Sequence, residues 1–169
     1  MDGLSNMFAP ALRPQQVSSF LEIKGSELPR LTGQTIGQPT EPPTRRGSAG
    51  KYSCLDALLM RLGQMLLGMG LLPNRTQKCL LEIRDWFTEL VHDPAFGTEE
   101  DRIVLMKGLF LVARQNAREF SVERVDADQL AGALVGPESY RPQTVVNIDK
   151  FIGHEFARLI RVMDEQDPT

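Results

Sequence analysis

The sequence predicts an all-α fold, a bundle or orthogonal array of four to five helices preceded by a disordered N-terminal arm. Three observations carry that prediction. Apolar residues recur at three- and four-residue steps through most of the chain after residue 51, and no stretch alternates apolar and polar residues convincingly enough to read as a strand. Residues 1–50, in contrast, are rich in Pro, Gly, Ser, Thr and Gln and hold no apolar period lasting two turns. The predicted organisation is therefore a flexible arm over 1–50 and a helical domain over 51–165.

The arm offers too little apolar surface to offset chain entropy. Within it Val17–Ile23 has the makings of one short helix or strand, and Met7, Phe8 and Leu12 could dock on the core or on a partner. The prolines of QPTEPPTRRGS, residues 38–48, favour extended backbone and mark the boundary.

The first helix should begin at Tyr52 or Ser53, with Leu55, Leu58, Leu59, Leu62, Met65, Leu66 and Met69 on one face, and close at Gly70 and Pro73. Asn74 caps a second helix with a stripe through Cys79, Leu80, Ile83, Trp86, Phe87, Leu90 and Val91, ended by Asp93, Pro94 and Gly97. A third helix is predicted over Thr98–Phe120, opened by Thr98 and the acidic Glu99, Glu100 and Asp101. Its apolar residues, Ile103 to Phe120, cover about half the helix circumference, too wide for a surface helix, and place it at the centre of the domain. A short helix follows from the Asp126 cap to Leu134, with Gly136, Pro137 and Pro142 as breakers. The last helix spans Asn147–Met163.

The formal net charge of −3 hides an asymmetry. Residues 1–51 carry six Lys/Arg against four Asp/Glu, and the remainder thirteen against eighteen. So acidic a globular part argues against unspecific duplex binding, and nucleic acid is not an expected partner. Two cysteines form no disulfide framework, which fits a reducing, cytoplasmic compartment, or a host cell for a viral or secreted protein. The apolar run Leu55–Leu72 contains Asp56, Arg61 and Gln64, so no transmembrane segment is expected.

Chemistry is sparse. Cys54 and Cys79 precede or sit within apolar helical text, His92 and His154 are the only histidines, and these four lie singly, without the paired spacings of a zinc site. No glycine-rich loop follows a strand, so no catalytic residue, metal or cofactor is expected. Glu155 falls within the apolar face of the last helix, where a carboxylate needs an ionic or hydrogen-bonding partner. An ion-pair role is favoured over a functional one.

Partner-binding candidates come from second faces. Met60 and Leu67 project from the side of the first helix opposite its main stripe, where they are either exposed as a contact or covered by the arm or another helix; exposure as a contact is the expectation. Lys107, Arg114 and Arg118 align on the polar stripe of the predicted third helix and suit an acidic partner. In the arm, Ser48 follows Arg45 and Arg46 as a site for a basophilic kinase, and Pro39 and Pro42 form a PxxP spacing. Asn74 opens a formal glycosylation sequon but is read as a helix cap. The function expected from these features is non-enzymatic: an adaptor or accessory protein that binds another protein or itself, with the arm adding docking or regulation. The alternatives are a self-associating assembly component, such as a small viral matrix or capsid-associated protein, and a secreted effector.

Overall fold

A computed structural model of the chain describes residues 7–44, 49–92, 108–115, 120–135 and 143–166. The architecture is mixed α/β rather than all-α: among the described residues, six α-helices accompany two antiparallel sheets of two and three strands. The chain divides into two units, residues 1–87 with 154–169, and residues 88–153.

The first unit begins where an arm was expected. Strand β1 (Pro10–Leu12) pairs antiparallel with β2 (Tyr52–Ser53), and between them lie helices α1 (Pro14–Leu21) and α2 (Leu28–Gln34). Both helices carry proline in the first turn, where the missing N–H costs nothing and the fixed φ is already helical. Leu12, Val17, Phe20 and Leu21 are fully buried and Leu28 and Leu31 nearly so, so residues 7–44 supply much of the core. At roughly 1.5–3 kcal/mol per buried side chain, this segment holds itself in place. Composition concealed it because helices of eight and seven residues are too short to show a two-turn apolar period.

Helix α3 (Cys54–Gly68) packs against β1, β2, α1 and α2. Its start is set by a capping box, in which Asp56 N–H donates to Ser53 Oγ at 3.0 Å and Ser53 N–H donates to Asp56 Oδ2 at 3.1 Å. Leu55, Leu58, Leu59, Met60, Leu62 and Leu66 are all buried, so the helix is covered on more than one side. Helix α4 (Pro73–His92) contributes Cys79, Leu80, Ile83 and Phe87 to this core, close to the stripe predicted for it. Gly63 is required where α3 meets its neighbours, since a Cβ there would collide with the Thr35 side chain and stand 3.0 Å from Leu80 Cδ1.

In the second unit, β3 (Phe110–Gln115) is the centre of a sheet ordered β4-β3-β5, flanked by β4 (Phe120–Val125) and β5 (Gln143–Asn147), both antiparallel to it. Helix α5 (Ala127–Val135) packs on β4 and β3. The predicted helix over Thr98–Phe120 is thus overturned for Phe110–Gln115 and Phe120; its other positions, apart from Gly108 and Leu109, fall outside the described residues. The physical reason is burial on both faces. Leu111, Val112, Ala113 and Arg114 are consecutive and all buried, and a strand covered on two faces gives a near-continuous apolar run that a helical projection reads as a wide arc. Residue 108 is a glycine at φ +70°, the left-handed region that glycine reaches without strain, just before the strand begins. The last helix, α6 (Ile148–Gln166), lies where periodicity placed it and belongs to the first unit from His154 onward.

Candidate nucleic-acid interface

The first unit presents one surface built by a short, continuous stretch of chain. Helix α1 ends at Glu22, the only described non-glycine residue with positive φ, at 57°. This left-handed residue reverses the chain: Glu22 N–H donates to Ser19 O at 3.2 Å and Ile23 N–H to Ser18 O at 3.1 Å, satisfying carbonyls left open at the helix end. Lys24 then opens the next helical segment, its N–H donating to Glu27 Oε2 at 3.0 Å. A 3-10 turn over Gly25–Glu27 leads into α2. The result is a helix, a three-residue turn of Glu22, Ile23 and Lys24, and a second helix.

Within α2 the division of faces is clean. Leu28, Leu31 and Thr32 point into the unit, and Thr32 Oγ1 meets Leu28 O at 2.8 Å and the Tyr52 hydroxyl at 3.2 Å. Ser26, Pro29, Arg30 and Gly33 are exposed. Lys24, Glu27 and Arg30 therefore hold their charges in solvent on the second helical segment.

A two-way chain connection follows α2. Glu41 and Lys51 form an antiparallel bridge, with backbone bonds in both directions at 3.0 and 2.9 Å and a side-chain ion pair at 3.4 Å. Arg45 and Arg46 lie between these bridged residues in sequence, with Ser48; all three are outside the described residues. The root of this excursion is fixed by Asp56, only 1% exposed. Its Oδ2 accepts from Thr40 N–H at 2.9 Å and Thr40 Oγ1 at 2.6 Å, while Oδ1 meets Arg84 Nη2 at 2.6 Å. A buried carboxylate is tolerable here because it is both paired and multiply hydrogen-bonded.

The turn is held from behind by α6. Arg158 Nη2 pairs with Glu22 Oε1 at 2.7 Å, and its guanidinium lies 5.5 Å from the centre of the Phe20 ring. Arg158 Nη1 also reaches Glu155 Oε2 at 3.3 Å, and Arg61 Nε reaches the same oxygen at 3.5 Å. Glu155 is thereby an ion-pair residue in this network, with His154 Nδ1 3.2 Å from its other oxygen.

The residues expected to bind partners are not brought together. Met60 is 0% exposed, with its Sδ 4.0 Å from Thr32 Oγ1, because α2 covers the second face of α3. Leu67, half-buried, borders a groove with Ile23, Arg30 and Gln34. Arg114 is buried on β3, its Nη2 bonded to Glu123 Oε1 at 2.7 Å and Ala133 O at 2.6 Å, so it is no part of a solvent strip. Lys107 and Arg118 lie outside the described residues. Burial pushes the Cys79 thiol from its ordinary 9.0 up to about 12, and raises that of Cys54, so neither is activated as a nucleophile. Among the described residues no three His, Cys, Asp or Glu side chains are grouped to hold a metal ion, and no helix is long and apolar enough to cross a membrane.

Sequence reasoning missed the α1–turn–α2 surface. The signal was Val17, Phe20 and Leu21 followed after a short polar break by Leu28 and Leu31, with Pro14 and Pro29 each in a first turn. No protein-family model matches the chain, and no curated protein matches it in sequence.

Proposed function

We propose that the first unit binds double-stranded DNA, with the outer face of α2 entering the major groove. The observation that carries this is the α1–turn–α2 arrangement, whose second helical segment presents Lys24, Glu27 and Arg30 to solvent. A helix-turn-helix places its second helix in the major groove and uses the first to cross the backbone. Lys24 and Arg30, both exposed on that segment, supply the cations for phosphate and base contact.

The acidic excess of the chain falls in the second unit, residues 88–153, with seven Lys/Arg against eleven Asp/Glu. The first unit, residues 1–87 with 154–169, carries twelve Lys/Arg against eleven Asp/Glu, and of the eleven, Asp56 and Glu155 are buried and paired. Arg30 is the base-reading candidate, since a guanidinium offers the paired donors that match guanine O6 and N7. Lys24 is a phosphate contact.

The test is enrichment of duplexes from a random pool by the full chain, followed by fluorescence anisotropy with the enriched sequence. Arg30→Ala should weaken specific binding by about 1–3 kcal/mol and relax preference at one base pair, whereas Lys24→Ala should lower the salt slope by about one. Absence of any enriched sequence, together with equal affinities for wild type and Arg30→Ala, refutes the proposal.

A second function, binding a protein partner or self-association, is favoured by one observation. Met69, Leu72 and Leu81 are large apolar side chains each more than half exposed, and they cluster in sequence at the α3–α4 connection and on α4. Sedimentation over a concentration series, with Leu72→Ser as the comparison, measures whether they form a contact.

A further inference from the structure

Between the end of α2, α3 and α4 lies a cleft of about 190 Å³. Ile36, Leu59, Leu80 and Leu81 give it an apolar lining, and Gln77 and Arg84 supply its polar edge. Those two polar residues are also the ties that hold the proposed DNA-binding helix and the chain that follows it. Gln77 Nε2 donates to Gly33 O in α2 at 2.6 Å, and Arg84 holds Asp56, which in turn holds Thr40 at the root of the bridged excursion.

Size and charge restrict the occupant. An apolar cavity of about 150 Å³ takes up benzene, so this cleft has room for one six-membered ring with a small substituent. The charge of Arg84 is already compensated by the Asp56 carboxylate at 2.6 Å. A carboxylate ligand would have to compete with that buried pair, whereas a neutral hydroxyl can hydrogen-bond at the polar edge without disturbing it.

We propose that the cleft binds a small neutral ring compound of the phenol class, and that its occupancy shifts the Gln77–Gly33 and Arg84–Asp56–Thr40 ties and so changes DNA affinity. The binding claim stands on the cleft alone; the effect on DNA rests on the function proposed above.

The probe is 4-fluorophenol, titrated into the full chain and followed by fluorine and amide NMR. The expected result is saturable binding with shifts centred on Ile36, Leu59, Leu80 and Leu81. Leu81→Trp, which fills the mouth from a position 56% exposed, should weaken binding about tenfold while leaving the thermal melt unchanged. Should that variant melt early, Ile36→Phe takes its place. Shifts that are absent, unsaturated or scattered over the unit, or folded variants that bind as wild type does, overturn the site. Anisotropy of the enriched duplex with and without saturating probe should then differ at least about threefold for wild type and not for the filled variant. Probe binding with unchanged DNA affinity overturns the regulatory step. A chain that binds the probe but no duplex refutes the DNA-binding function and leaves the ligand site established.

Discussion

Helix α3 and strand β3 are both apolar around most of their surface, yet one is a helix and the other a strand. In α3, the leucines from Leu55 to Leu66 are buried, with the N-terminal helices packed on the helix and α4 approaching it through Leu80 at Gly63 and Arg84 at Asp56. In β3, Leu111 to Arg114 are covered on both faces of a sheet. A wide apolar arc therefore reports that an element is buried on two sides and says nothing about its type. What distinguishes the two is local chemistry. The α3 sequence carries an Ser53–Asp56 capping box and no β-branched residue in its first three turns, whereas β3 is a short run flanked by Gly108 and followed within a few residues by VERV.

The largest predicted effect breaks the capping side of this comparison. Asp56→Ala should destabilise the first unit by roughly 3–5 kcal/mol, because it removes the carboxylate that pairs with Arg84, accepts two bonds from Thr40 and accepts the Ser53 N–H half of the capping box. A loss below about 1 kcal/mol in urea melts would mean that the carboxylate is not the tie described.

Met60→Ala sharpens the comparison, since it opens a cavity between α3 and α2. It should cost about 2–5 kcal/mol, and an exposed Met60 would give almost no change in the same melt. In the strand, Val112→Ala should be destabilising by roughly 1–3 kcal/mol while leaving the first unit's amide exchange unaltered.

Thiol chemistry gives a smaller but sharper readout. Cys79 is fully buried and its folded-state pKa is raised, so it favours the folded state below the unfolded value of 9.0 and loses that contribution as pH climbs towards about 12. At pH 8 a disulfide reagent should label the half-buried Cys54 well before Cys79, with both labelled once the chain is unfolded. Equal native rates would contradict the placement of Cys79 in the core. Smaller still, Arg158→Ala should cost up to about 1 kcal/mol in stability, because its ion pair with Glu22 is partly solvated.

How far the sequence reveals the molecule follows from the same physics. Helices α3, α4, α5 and α6 were legible because caps and three-four spacing agree over them. The sheet was not, since Leu111–Arg114 has no alternation to detect and β5 holds only Val145 and Val146 beside Thr144 as β-branched signal. Residues 7–44 were legible only in part: Val17–Ile23 as a possible short helix or strand and Met7 and Leu12 as possible core contacts. Helix α2 was missed because helices of eight and seven residues are shorter than the window in which periodicity declares itself. The α1–turn–α2 surface was lost with them, and so Met60 was taken for exposed. Glu155 was legible as a paired carboxylate, but neither Arg61 nor the α6 residue Arg158 could be chosen as partner until the helices were in place.

Amide NMR of the full chain titrated with the enriched duplex locates the DNA contact proposed for the outer face of α2. If that face enters the groove, the largest shifts fall on Lys24, Gly25, Ser26, Arg30 and Gly33, diminish with rising salt, and disappear at the same duplex concentration in Arg30→Ala. Shifts confined to α4, or to β3 and its neighbours, with α2 unperturbed would contradict it.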